Sequence, residues 1–170
     1  RADEARSLLL AIREGPLSEF DRARVEEFLG DAYLRLNLFE EALDAFGKAI
    51  SSPAIQSLQM NRGNCELGIG DAYTALGQPK VAVKHYRSAE KLYAKFGNEI
   101  WASYAELRIL QSRSNIDVGK VTDLARFFSK RRCRLFEVEA LLIVARSKTG
   151  FAAQSLKTAK ARIQRWGLEH

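Results

Sequence analysis

The sequence contains few cysteines, which cross-link small proteins, and few prolines, which interrupt helices. Its 170 residues include only two cysteines and three prolines. Two cysteines are too few for a disulfide framework, and a chain of this length can bury a core without one. No run approaches about eighteen uncharged apolar residues, which excludes a membrane-spanning helix. These absences predict a protein held by ordinary packing in a reducing compartment, such as the cytoplasm or the nucleus.

Side chains suited to catalysis are equally scarce. Of the two histidines, His170 falls in a C-terminal tail, 168–170, that resembles the remnant of an affinity tag. The other, His85, is predicted to lie on a helix, where a single histidine is more often a packed or surface residue than a base. No His, Cys, Asp or Glu set has metal-ligand spacing. We therefore predict no enzymatic activity, no metal and no cofactor.

What the sequence does contain is an internal repeat. The stretch Leu-Gly-Asp-Ala-Tyr at 29–33 returns as Ile-Gly-Asp-Ala-Tyr at 69–73, forty residues later. Each copy is followed by Ala-x-x-x-Phe/Tyr-x-x-Ala, at 42–49 and again at 82–89. A fixed period of this length is typical of repeat arrays, in which similar helix pairs stack side by side.

Small residues in these repeats have a physical reason. Gly30 and Gly70 fall inside predicted helices, where glycine costs about 1 kcal/mol relative to alanine. Each of them therefore predicts a close approach by a neighbouring helix. The alanines of the second pattern lie at helical spacing, so they let two backbones pack closely while aromatic rings fill the gaps.

The two patterns together resemble the signature of the tetratricopeptide repeat family. The resemblance implies an all-α fold, a right-handed superhelical solenoid of antiparallel helix pairs. Periodicity and turn residues predict about nine helices in one domain over residues 1–167, with the best repeats at 23–96 and degenerate repeats at 98–166. One of the nine is a long helix from Pro53 to about Leu76, which would account for the forty-residue period.

The resemblance also implies a binding surface, because the first helix of each pair lines a concave face that receives a peptide in similar proteins. The family's inward positions fall here on Glu27, Asp31, Leu34, Arg35, Asn64, Leu67, Asp71 and Thr74. In the degenerate third repeat the candidates are Glu106, Ile109 and Arg113.

Two aspartates on this face indicate which ligand it suits. Asp31 and Asp71 stand where family members that grip a C-terminal carboxylate carry an asparagine, so capture of such a carboxylate is disfavoured. A basic or amphipathic segment is the better match. The alternative is that both aspartates only hydrogen-bond neighbouring helices.

Charge is divided unevenly along the chain. Residues 1–107 carry 13 Lys plus Arg against 16 Asp plus Glu, whereas residues 108–166 carry 14 against 4. An excess of this size is larger than solubility requires, and it would attract an acidic partner, an acidic neighbouring domain or a nucleic-acid backbone. An acidic protein surface is the favoured interpretation. The predicted basic face consists of Arg126, Lys130, Arg131, Arg132 and Arg134.

We therefore expect a non-enzymatic protein–protein interaction module or scaffold within a larger regulatory or signalling protein. It would bind a partner peptide in the groove and an acidic protein surface or adjacent domain on the basic face. The alternative is a nucleic-acid-associated helical repeat that uses the basic C-terminal half, although base-reading motifs are missing. Self-association through an exposed repeat edge is a further hypothesis. No membrane partner is expected.

Overall fold

The structure, a computed structural model, describes residues 1–147, 150 and 152–167. Within these ranges there are ten α-helices and no strand, which confirms the all-α fold class. The chain divides into two compact units, Arg1–Ser112 and Arg113–His170. One continuous domain over residues 1–167 stays a prediction, and each unit is described by itself. The predicted tag remnant, 168–170, lies outside the described residues.

The first unit consists of successive helices in which each packs against the next. They are α1 (Ala2–Arg13), α2 (Glu19–Arg35), α3 (Phe39–Ser51), α4 (Pro53–Gln56), α5 (Gln59–Ala75), α6 (Pro79–Phe96) and α7 (Glu99–Gln111). The turns joining α2 to α3 and α5 to α6 are three residues long, so each of these pairs is antiparallel. These are the two hairpins that the repeated sequence predicted.

Helix ends follow the local chemistry of the sequence. The Ser18 side chain caps α2 by accepting a hydrogen bond from the backbone of Asp21 at 3.1 Å. Asn37 takes the left-handed conformation after α2, with φ of 59°, as its place in the turn predicted. Asn98 caps α7 through the backbone N–H of Trp101, at 3.2 Å. Short polar residues therefore set where the hairpins begin and end.

The prediction of one long helix from Pro53 to Leu76 is wrong, and this raises the count to ten among the described residues. The segment forms the short α4 and then, after a break at Ser57 and Leu58, the longer α5. Ile55 of α4 is fully buried, so the short helix is anchored in the core and the chain must turn before α5 can start. The extra residues of the forty-residue period form this insertion.

The predicted close approaches at the repeat glycines are confirmed. A Cβ atom added at Gly30 would lie 2.6 Å from the ring of Phe46, and one at Gly70 would lie 2.5 Å from the ring of Tyr86. Both rings are fully buried and belong to the second helix of the same hairpin. Glycine is thus required where an aromatic ring of α3 or α6 rests on the backbone of its partner helix.

The second unit is built from three helices among its described residues, again with each packed against the next. They are α8 (Val118–Lys130), α9 (Arg134–Arg146) and α10 (Ala152–Trp166). Its core holds Phe128 of α8, Val144 of α9 and Ala159 of α10, which are at most 1% exposed. The turn from α8 to α9 contains Arg132, whose φ of 59° is left-handed.

Candidate functional site

A cavity of about 360 Å³ opens on the surface of the first unit. Its lining comes from α2, the start of α3, α5 and α7. The lining residues are Asp31, Leu34, Arg35, Phe39, Asp71 and Arg108. Four of the eight predicted groove residues therefore lie together around one cavity, which we call the groove cavity.

Asp71 is held by an arginine from the following repeat. One of its carboxylate oxygens, Oδ1, accepts hydrogen bonds from Arg108 Nη2 at 2.7 Å and Nε at 3.1 Å. The same oxygen accepts a 2.7 Å hydrogen bond from the hydroxyl of Tyr86, and burial raises the pKa of that hydroxyl. The alternative role predicted for Asp71, bonding to neighbouring helices, is thus seen, and its charge is balanced inside the protein.

Asp31 has a different environment, because it makes no side-chain hydrogen bond to another described residue. Its side chain reaches solvent, but the surrounding helices remove much of its hydration. This desolvation, together with the negative charge of Glu27, raises the pKa of Asp31 to about 6, although Arg35 acts in the opposite direction. Asp31 is consequently the carboxylate of the groove cavity that would gain most from a cationic partner.

We expect Asp31→Asn to stabilise the protein at pH 7.5 but not at pH 4. The raised pKa means that the folded state binds a proton more tightly than the unfolded state does, so charging Asp31 between about pH 4 and pH 6 lowers the free energy of unfolding. Because the side chain is exposed, the gain from asparagine is discounted to below about 1 kcal/mol. Urea denaturation of both proteins across this pH range measures it, and an equal gain at both pH values would contradict the explanation.

The other four predicted groove residues lie outside the lining. Glu27 is 3% exposed, and its two oxygens accept hydrogen bonds from Asn61 Nδ2 and Asn64 Nδ2, both at 2.8 Å. Leu67 is buried in the core of the second hairpin, and Thr74 Oγ1 lies 2.9 Å from the Tyr86 hydroxyl. Their polar atoms or surfaces are already engaged by other residues of the chain.

Two lining residues were missed by the sequence analysis. Phe39 is the first residue of α3. It lies next to the groove cavity because the turn that precedes it is tight. Arg108 lies 37 residues after Asp71, close to one repeat later, but the faded third repeat did not fix its register. The candidates chosen there were Glu106, Ile109 and Arg113. The opposite charges of Asp71 and Arg108, about one repeat apart, were the sequence feature that could have predicted this contact.

In the second unit, the predicted basic face is solvent-exposed throughout. Arg126 pairs with Asp123 across one helical turn at 2.8 Å, and Arg131 lies over the ring of Phe127. The guanidinium carbon of Arg134 lies 5.4 Å from the ring centroid of Trp166 on α10. An exposed ion pair such as Arg126–Asp123 stabilises a protein by only about 0–1 kcal/mol. The arginine charges of the basic face therefore remain available for binding.

His85, the histidine considered in the sequence, belongs to a separate polar cluster of the first unit. Nδ1 of His85 lies 2.7 Å from Glu66 Oε2, and its ring stacks on Tyr73. Across the described part of the chain, no group of three His, Cys, Asp or Glu side chains could hold a metal ion. No helix within the same residues is both long and apolar enough to cross a membrane.

Comparison with known proteins agrees with this architecture. The family model for the tetratricopeptide repeat matches residues 27–54 and 67–96, which span α3 and α6 with the second halves of α2 and α5. The resemblance in the sequence is thereby confirmed for these two ranges, and the match supports a tetratricopeptide-like repeat protein with two clear repeats. Repeats of this kind generally serve as scaffolds for protein–protein interaction and are typically non-enzymatic. No curated protein and no solved structure matches the chain.

Proposed function

We propose that this protein is a non-enzymatic interaction module of a larger regulatory or signalling protein, and that its groove cavity holds a basic or amphipathic segment of a partner. The observation that carries the proposal is the position of Asp31. This carboxylate is partly desolvated and has no hydrogen-bonding partner within the described residues, whereas Asp71 beside it is neutralised by Arg108. A lysine or arginine side chain of the partner, bound beside Asp31, would supply the hydrogen bonds and the opposite charge that the Asp31 carboxylate lacks.

The apolar part of the cavity supports an amphipathic rather than a purely basic ligand. Leu34 and Phe39 line it and are both only half-buried. Burial of such surface contributes about 25 cal/mol for each Å² removed from water, so apolar ligand residues would supply affinity while the cation sets the register. Arg35 and Arg108 leave the cavity less acidic than its aspartates alone would make it.

The test is a matched pair of charge reversals. Asp31→Lys should weaken binding of a fluorescent amphipathic lysine-containing peptide about tenfold, as measured by anisotropy at low salt. Glu41→Lys makes the same change of charge at an exposed position on α3 that does not line the cavity, and should leave the affinity unchanged. Equal weakening by both variants, or by neither, would refute a specific site at Asp31.

For the second unit we propose that the basic face docks an acidic surface of a partner or of an adjacent domain. Residues 113–170 carry 13 Lys plus Arg against 5 Asp plus Glu. The electrostatic field of this excess positive charge would accelerate association with an acidic protein, and the association rate would fall as the salt concentration rises. Both cysteines are free thiols, which supports placing the protein in a reducing compartment such as the cytoplasm or the nucleus.

A further inference from the structure

A cavity of about 260 Å³ in the second unit is lined mainly by guanidinium groups. Two of its arginines come from the α8–α9 turn and the start of α9, and two come from the last turns of α10. The complete lining is Ser129, Arg132, Arg134, Glu137, Arg162, Arg165 and Trp166. Four positive charges thus converge on one small space, which we call the arginine cavity.

Only one carboxylate offsets these charges among the lining residues. Glu137 is 5% exposed, and its Oε1 accepts a hydrogen bond from Arg162 Nε at 3.1 Å. Arg132 and Arg165 form no ion pair with any described residue. Four arginines against one glutamate give the lining a formal net charge of +3.

The arrangement is also held in place without a ligand. The guanidinium carbons of Arg134 and Arg162 lie 5.4 and 5.2 Å from the ring centroid of Trp166, within the range of cation–π contacts. The left-handed backbone at Arg132, with φ of 59°, sets only the direction in which its side chain leaves the α8–α9 turn. Because the Arg134 and Arg162 side chains already rest against Trp166, an anion entering the cavity loses less affinity to their immobilisation.

We propose that the arginine cavity binds a phosphomonoester group. A phosphomonoester carries a charge of about −1.5 to −2 at neutral pH and presents three acceptor oxygens. A guanidinium matches such oxygens with two parallel hydrogen bonds, so several arginines can share one phosphate. A carboxylate offers a single charge and two oxygens, and leaves more of the positive charge unbalanced. A nucleic-acid backbone carries one charge on each phosphate in a row, and suits an extended basic track rather than one enclosed cavity.

This inference rests on the acidic docking proposed for the basic face, and names the anion that would dock. It does not depend on the groove cavity of the first unit. The two proposals for the basic face are separable, because general acidic docking requires no preference for phosphate over carboxylate.

The experiment is an NMR titration of the full chain at 50 mM NaCl, following the two tryptophan indole N–H signals. The probes are a Gly/Ser peptide with one phosphoserine, the same peptide with serine or glutamate there, inorganic phosphate, and a single-stranded oligonucleotide. We expect the phosphopeptide to shift the Trp166 signal and to bind at least about tenfold more tightly than the glutamate peptide. Trp101, in the first unit, serves as the internal reference.

Matched variants test whether the cavity itself is responsible. Arg132→Gln and Arg165→Gln should each weaken phosphopeptide binding about tenfold, and Arg165→Lys should weaken it several-fold because it keeps the charge but loses the paired donors. Arg146→Gln removes the same charge from an exposed position on α9 that does not line the cavity, and should have little effect. Circular dichroism and thermal melting verify that each variant is folded.

Each outcome decides the matter. A phosphopeptide that binds more tightly than inorganic phosphate supports a phosphorylated partner protein, and the reverse supports a small phosphorylated molecule. Equal binding of the glutamate peptide would leave only general acidic docking and overturn the inference. So would an Arg146→Gln effect as large as that of Arg132→Gln, tighter binding of the oligonucleotide, or no shift of the Trp166 signal with any phosphate.

Discussion

Replacing Gly68 with alanine should destabilise the protein by at least about 2 kcal/mol, even though alanine is the better helix former. A Cβ atom at this position of α5 would lie 2.3 Å from the ring of Phe46 on α3. The ring is fully buried and also rests on Gly30 of α2, so it lies between two backbones and has little room to retreat. Overpacking should therefore outweigh the gain of about 1 kcal/mol in helix propensity.

A glycine of the preceding repeat gives the opposite expectation. Gly47 lies inside α3, and an added Cβ would meet nothing within 4 Å. Gly47→Ala should therefore stabilise the protein by about 0.5–1 kcal/mol. Guanidinium denaturation of both variants, and of Gly68→Ala combined with Phe46→Leu, measures the effect. In the double variant, the smaller leucine side chain at position 46 should relieve most of the stability loss that Gly68→Ala causes. A Gly68→Ala variant as stable as Gly47→Ala would show that the close contact with the Phe46 ring is absent.

Glu27→Ala should have an effect of similar size, with a loss of about 2–4 kcal/mol. Its carboxylate on α2 accepts from the amides of Asn61 and Asn64 on α5, and from Arg24 Nη1 at 3.1 Å. Asn64 in turn accepts a 2.9 Å hydrogen bond from the Tyr93 hydroxyl of α6. Removing the carboxylate would leave these donors without an acceptor in a part of the structure that water reaches poorly.

The control for this prediction is Glu41→Ala, at an exposed position of α3, which should change the free energy of unfolding by less than about 0.5 kcal/mol. Urea denaturation compares the two. If Glu27→Ala instead weakened binding of the basic peptide without altering stability, Glu27 would be a ligand residue, as the family pattern implied, rather than a link between helices.

Much of the first unit could be predicted because its signals are local. Helical spacing of small and aromatic residues, and turn residues such as Asn37, depend on neighbours within one or two turns of helix. The same reasoning failed at residues 53–76. There, Ile55 is buried in a core formed by other helices. The local sequence does not predict that a helix must end so that Ile55 can be buried in this way.

The candidate site was harder to predict than the fold. Asp31 and Asp71 occupy equivalent sequence positions, yet one is bonded to Arg108 and Tyr86 while the other lacks a hydrogen-bonding partner in the described chain. The difference arises in part because Tyr86 carries a hydroxyl that Phe46, its counterpart in the first repeat, lacks. It also arises from the residue that the next repeat places opposite each carboxylate. Such a residue is about 37 positions away, beyond the range of any local pattern.

By itself, the sequence determined that the chain forms paired helices, which residues of the two clear repeats face a neighbouring helix, and that positive charge gathers in its second half. These properties follow from side-chain size, periodicity and count. The tertiary structure decided which charges are balanced and which are not. It joined Arg108 to Asp71, enclosed Glu27 among amides, and brought the arginines of the α8–α9 turn next to those of α10. Pairing of charges depends on distances of a few ångströms between residues far apart in the chain, which only packing sets.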